Sequence, residues 1–416
     1  MTLSVADRIF RRVSRFHTER IATAWGGRHI LHGRKPTPGE VVLTSNDYLA
    51  LAREPRIVAA MCASLQDTGG AAAPSGVFLH GVDHPQIMLE KALAEHMRAA
   101  GGILCQSGWD ANVGLMQSIA DAQSPVYVDH IAHMSLWHGA KTAGAPVYPF
   151  RHNFPGHLRD EVRKHGPGIV VVDAVYSTNG SRCPLTQICD VAEETGSVLV
   201  VDESHSLGTD GPQGAGMVVA LGLAERVPFR IASLATAFAG RAGFIATNNI
   251  DFVDYFKMES DPAVFSATLL PHDIAGLAAT LDVIRADDWR RVRLREVAAV
   301  VRRALMALEF DLEGSASHIV ALQTGPDQRT IAIRDFLEAR GVFGSVFCWP
   351  ATARDRALIR FSMHAGLTDT QLDRLIQSCT EVRNTFGGMA PSHPEKPRPT
   401  PAPAQPPLVP TGDPSR

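Results

Sequence analysis

Short apolar runs punctuate the first two thirds of this chain. Residues 103–106, 126–128, 169–173, 198–202, 230–234 and 243–247 form six of them, each three to five residues long. Runs this short, with several Val and Ile, suit strands buried on both faces. Amphipathic stretches such as 185–195 lie between some of them. The alternation predicts an α/β fold, a mostly parallel sheet covered by helices. From about 274 to 384 the pattern changes to long helical periods, 287–308 among them, with a few strands. This predicts a large domain over 51–273 and a smaller α+β domain over 274–386, joined by a segment over 1–50.

The two ends read differently. The opening MTLSVADRIFRRVSRF sets apolar residues at helical spacing among arginines. It predicts an amphipathic helix packing on the body. Asp7 and several polar residues interrupt the apolar face, which weighs against membrane contact, and a signal peptide's apolar core and cleavage site are missing. From 387 to 416 the chain is rich in proline, which removes backbone donors and blocks helix and sheet, so this tail is expected to be disordered. It also fits a proline-rich partner ligand.

Composition narrows the function classes. With 416 residues the chain can bury a sizeable core across two domains. The net charge of −3 and the lack of a basic run argue against nucleic acid as a partner. No apolar span of 18 residues occurs, so no membrane helix is expected. The six cysteines (Cys62, Cys105, Cys183, Cys189, Cys348, Cys379) form no CxxC pair. They read as reduced thiols of a cytoplasmic protein, with no metal site expected.

The candidate chemistry begins at VLVVDESHSLGTDGPQGAG, residues 198–216. Asp202 ends a parallel strand, where open α/β sheets bind ligands. His205 follows, then Gly208, Gly211, Gly214 and Gly216. Singly, each signal is weak. An Asp at a strand end is often a cap, a lone His is often structural, and this loop lacks the Gly-Lys-Ser/Thr ending of a phosphate-binding loop. No GxGxxG follows an early strand, which disfavours a nucleotide-binding oxidoreductase.

The whole string resembles the signature of the α-oxoamine synthases, acyltransferases of fold type I that use pyridoxal 5′-phosphate (PLP). Further blocks agree in order and spacing from about 45 to 375: SNDYLAL (45–51), QSGWDAN (106–112), DHIAHMSLWHGA (129–140), DAVYSTNG (173–180), FSATLLP (265–271) and LIRFSMHAGLT (358–368). Within that family the segments CQSGWDANVGL, AHMSLWHGA and GVFGSVFCWPAT look closest to quorum-sensing autoinducer synthases of the CqsA/LqsA type. The resemblance implies an acyl-CoA joined to an amino acid or S-adenosylmethionine, giving the skeleton of an α-aminoketone or α-hydroxyketone signal. It also implies a homodimer with its sites at the subunit interface.

The same resemblance assigns roles. Asp202 would pair with the pyridine nitrogen of PLP, keeping it protonated. His205 would bond the ring oxygen O3′, with Ser177 on the same side. His133 would stack on the ring. Gly108, Trp109 and Ser233 would hold the phosphate, and Thr268 would reach it from the second subunit. Arg360 would grip the substrate carboxylate as a two-pronged donor. Packing residues at 109 and 177, and an ion pair at Arg360, are the plain alternatives.

One position departs. In SLATAFAGRAGF (233–244) Thr236 stands where the family carries its Schiff-base lysine, the amine that anchors PLP and removes the α-proton. A threonine hydroxyl does neither. Three readings compete: an engineered or sporadic variant of an active enzyme; a pseudoenzyme that binds PLP or acyl-CoA without turnover; and an enzyme using noncovalent PLP with His133 or His205 as base. A fold-type I aminotransferase shares the Asp202 logic and differs in motif.

Overall fold

The computed structural model describes residues 4–79 and 81–387. The proline-rich tail lies, past Gly387, outside the described residues. Eleven strands occur among those described: β1 (Val41–Leu43), β2 (Gly101–Cys105), β3 (Val126–Asp129), β4 (Val147–Phe150), β5 (Ile169–Asp173), β6 (Val198–Asp202), β7 (Phe229–Ser233), β8 (Gly243–Thr247), β9 (Ile319–Gly325), β10 (Val342–Phe347) and β11 (Ala357–Ser362). They form a seven-stranded sheet of order β2-β8-β7-β6-β5-β3-β4 and a four-stranded sheet of order β1-β10-β11-β9.

In the larger sheet β4, β3, β5, β6 and β7 are parallel neighbours, and β8 runs antiparallel to both β7 and β2. The expected parallel α/β sheet is present. Its central strands carry Val170, Val171, Val172, Val200, Val201, Ile231 and Ala232, all fully buried. Helices Gly108–Ile119, Pro155–His165 and Leu185–Glu194 pack against this sheet. Fully burying each valine contributes about 2 kcal/mol, so the continuous apolar runs hold the sheet's centre. The strand β4, Val147–Phe150, was not anticipated: its residues alternate no cleanly apolar face and three of its four are only partly buried or exposed.

In the smaller sheet β1 comes from the N-terminal segment and pairs parallel with β10, while β11 lies antiparallel between β10 and β9. Helices Asp288–Ala307 and Asp369–Phe386 pack against each other in this region.

The opening helix, Val5–Arg15, forms as expected. Ser4 Oγ accepts from Asp7 N at 3.1 Å and Asp7 Oδ2 accepts from Ser4 N at 3.3 Å, a capping box that fixes its start. It does not pack on the body of its own chain: none of its residues is buried, and Phe10 is 70% exposed. Periodicity decides which face of a helix is apolar, but not what lies against that face. No helix among the described residues is long and apolar enough to cross a membrane.

Candidate active site

Three parallel strands of the large sheet end in aspartate: Asp129 on β3, Asp173 on β5 and Asp202 on β6. Asp173 and Asp202 are register partners. Their surroundings set them apart. Asp129 is satisfied by His152 Nδ1 at 2.9 Å and the backbone N–H groups of Asn153 and Ile131. Asp173 accepts only His133 N, at 3.3 Å, and its carboxyl is pushed well above the usual range by burial first and by the charge of Asp202 second. Asp202 is 5% exposed; its Oδ1 accepts Ser204 N at 2.8 Å and its Oδ2 accepts Asn112 Nδ2 at 2.9 Å.

A chain of polar contacts runs outward from Asp202. Asn112 Nδ2 also reaches Ser135 Oγ at 2.8 Å, and Ser135 Oγ lies 2.7 Å from His133 Nδ1. His133 caps the helix Met134–Thr142, so its Nδ1 is tied down while the ring itself is exposed. Trp109, 44% exposed, meets His133 edge-on at 6.2 Å between ring centroids and leans on His138 at 5.6 Å.

His205 is buried, and its Nδ1 lies 2.7 Å from the Tyr48 hydroxyl. Burial, and then the charge of Arg360, hold its imidazole well below the usual histidine range, so the ring is neutral. Arg360 sits on β11 of the smaller sheet. Its Nη1 donates to Ser177 O at 2.7 Å and its Nη2 to Asn46 Oδ1 at 2.8 Å. None of these partners is a carboxylate, so the ion-pair alternative is not what the structure shows. Its Nε is buried and has no partner. A buried guanidinium with no carboxylate partner among the described residues is chemically suited to an anion.

The start of helix Gly108–Ile119 lies against the end of β7. A Cβ on Gly108 would meet Ser233 Cβ at 2.6 Å and Ser233 Oγ at 3.1 Å. The first amides of a twelve-residue helix and the Ser233 hydroxyl are thereby brought together, an arrangement suited to an anion. The glycine-rich loop is not such a cradle. Gly208 N donates to Gly214 O at 2.7 Å and Gly216 N to Asp210 O at 2.9 Å, which closes the loop on itself. Gly216, at φ 100°, leaves room for buried Glu203, whose Oε1 a Cβ would meet at 2.6 Å.

Thr268 is drawn to Ala73 within its own chain: its N donates to Ala73 O at 2.9 Å, and its Oγ1 accepts from Ala73 N at 2.9 Å. The Gln106 amide donates to Ala267 O and sets this segment beside the start of the cradle.

Thr236 Oγ1 donates to Ser204 O at 2.6 Å and to Ser233 O at 2.9 Å. Its one proton is shared between Ser204 O, on the Asp202–His205 turn, and Ser233 O, at the end of β7. No other described lysine substitutes for it. Lys35, Lys91, Lys141 and Lys164 are exposed, and Lys257 is paired with Glu90 Oε2 at 2.9 Å.

Sequence reasoning did not single out Asn46, Tyr48, Asn112 or Ser204 as individual residues. Each lies inside a quoted motif, but only the folded chain shows which member of a motif turns inward.

The mostly parallel sheet, with a buried carboxylate and a histidine after its central strand, is the fold of the PLP-dependent transferases of fold type I. Residues 38–378 match the family described as aminotransferase class I and II, and the chain belongs to it, within the α-oxoamine synthases. Members of this family use pyridoxal 5′-phosphate. The chain is 43% identical over 362 residues to the CAI-1 autoinducer synthase of Vibrio campbellii, spanning 86% of this chain and 90% of that one. It is 30% identical over 355 residues to the serine palmitoyltransferase of Caulobacter vibrioides, spanning 84% and 87%. The solved serine palmitoyltransferase of Sphingomonas wittichii superposes with a TM-score of 0.82 over 93% of this chain and 99% of that one, at 23% identity.

Proposed function

We propose that this chain carries an acyl-CoA:amine C-acyltransferase site of the autoinducer-synthase type, lacking its amine base. The observation that carries the proposal is the Thr236–Ser204 contact. It brings residue 236 against the turn that bears Asp202 and His205, which supports reading 236 as the place of the missing lysine. The reading is supported by the 43% identity to an autoinducer synthase.

The residues present suit PLP. Asp202, held by Asn112 and Ser204, would face the pyridine nitrogen. His205 and Ser177 would flank O3′, and His133 and Trp109 would cover the ring. Gly108, Trp109 and Ser233 would take the phosphate, with Thr268 contributed across a homodimer interface. Bound there, PLP would act as the electron sink for a carbanion at the substrate α-carbon. Arg360 would bind the carboxylate of an amino acid or S-adenosylmethionine and fix the α-carbon over the site. With the α-proton passed to a base, the α-carbon would bond to the acyl-CoA thioester carbon as CoA departs, and loss of the carboxylate as CO2 would then give an α-aminoketone or α-hydroxyketone precursor in the cytoplasm.

Thr236 removes two functions. Its hydroxyl cannot hold PLP covalently, and a neutral alcohol is too weak a base to take the α-proton. The expectation is binding with little turnover, a pseudoenzyme in practice. The test is visible absorbance with added PLP, and CoA release from acyl-CoA, for the protein and for Thr236→Lys. A lysine-bound PLP band with restored CoA release only in the variant supports the proposal. Failure of both proteins to bind PLP overturns it, and equal turnover by both overturns the role given to position 236.

A further inference from the structure

Tyr48, which the reading above does not use, sits at the centre of a buried cluster. It is fully buried, and its ring meets the His318 ring edge-on at 4.1 Å between centroids. Its hydroxyl has two neighbours: His205 Nδ1 at 2.7 Å and Asn46 Oδ1 at 3.2 Å. A phenol has one proton, so it donates to only one of them. Asn46 Oδ1 already accepts Arg360 Nη2 at 2.8 Å. Hydroxyl hydrogen bonds cluster near about 2.7–2.8 Å, which matches the His205 contact and not the Asn46 contact. Burial also keeps the phenol protonated by raising its ionisation well above the ordinary tyrosine value.

We propose that Tyr48 is a positioning residue that donates to Nδ1 of His205 and so fixes this histidine as the tautomer carrying its proton on Nε2. The neutral ring has one N–H, and the bond made by one nitrogen decides the state of the other. His205 Nε2 makes no hydrogen bond to any described residue. Carrying the proton, it becomes a donor available to an oxygen-bearing ligand. In the other tautomer it would present a lone pair to that oxygen and repel it. The inference rests on the PLP reading only in naming that ligand as the ring oxygen O3′.

The experiment is long-range ¹H–¹⁵N correlation of the histidine side chains in full-length protein without added ligand, with His205→Gln assigning the signals. The expected spectrum shows an unprotonated Nδ1 and a protonated Nε2 for His205. In Tyr48→Phe the two nitrogens should move toward averaged shifts, and the PLP dissociation constant should rise about tenfold, as for the loss of one oriented hydrogen bond. A protonated Nδ1 in the unaltered protein overturns the proposal. So do unchanged His205 nitrogens in Tyr48→Phe, and so does a shifted tautomer with unchanged PLP affinity. The expected nitrogens in a protein that binds no PLP would uphold the tautomer and overturn the cofactor reading instead.

Discussion

Thr236 Oγ1 donates to Ser204 O at 2.6 Å, joining the loop after β7 to the turn after β6. The hydroxyl is a tether between two loops, not a free nucleophile. Thr236→Val keeps the shape and leaves the carbonyls of Ser204 and Ser233 without this donor. It should cost about 1–2 kcal/mol in urea unfolding and leave PLP affinity nearly unchanged. A large loss of PLP affinity would mean that the hydroxyl touches the cofactor.

Asp202 is the carboxylate given the pyridine nitrogen. Asp202→Asn keeps the size and removes the charge. PLP binding followed by fluorescence should weaken by at least about tenfold, the loss of a charge-assisted bond in a buried place. Undiminished affinity would move the nitrogen's partner elsewhere, with Asp173 the next candidate.

Arg360 spans Ser177 O and Asn46 Oδ1 with two of its nitrogens. Lysine is a point donor and cannot reproduce that fork. In a Thr236→Lys background, Arg360→Lys should raise KM for the carboxylate substrate by about tenfold or more, with a smaller change in kcat. An unaltered KM would remove Arg360 from substrate binding.

Gly108 has no room for a side chain, since a Cβ would lie 2.6 Å from Ser233 Cβ. Gly108→Ala must push the helix start from β7. The expected cost is about 1–3 kcal/mol, together with a loss of PLP affinity larger than that for a loss of helix stability elsewhere. Competition by inorganic phosphate should weaken in parallel. If phosphate affinity holds while stability falls, the cradle lies elsewhere.

Burial holds the imidazole of His318 down at about 4, against an ordinary value near 6.5. The unfolded chain therefore binds the extra proton between about pH 6.5 and 4, and the folded one does not. Stability from this group is complete above pH 6.5 and is lost as the pH falls toward 4, up to about 3 kcal/mol. The melting temperature should drop across that window. His318→Phe should flatten the slope by about one proton's worth, with the remaining slope left to other buried histidines such as His96. An identical slope would show that His318 is protonated in the native state or exposed.

The sequence placed β5, β6 and β8 to the residue, and missed β7's edges by one. These strands are buried on both faces, so each is an unbroken apolar run with polar residues at its end. Strand β4 has no such run, and the two sides of β1 are written in only three residues. The opening helix shows the same limit from the other side. Its amphipathic period predicts the helix, but among the described residues none of its side chains becomes buried.

The sequence by itself determined the family, the parallel sheet, the residues at strand ends and the absence of lysine at 236, because each of these is a property of neighbours along the chain. Only the tertiary structure decided which of them act together. Arg360 comes from the smaller sheet, Asn46 and Tyr48 from the N-terminal segment and His205 from the turn after the large sheet's central strand β6. They meet because Arg360 reaches the turn after β5 and the N-terminal segment, whose Tyr48 reaches the turn after β6, and hydrogen bonds extend only about 3 Å. It likewise decided that the glycine-rich loop closes on itself, with Gly216 against Glu203, and that Gly108 lies against Ser233. Backbone closeness of that kind has no period in the sequence; it exists only where two distant segments approach to van der Waals distance.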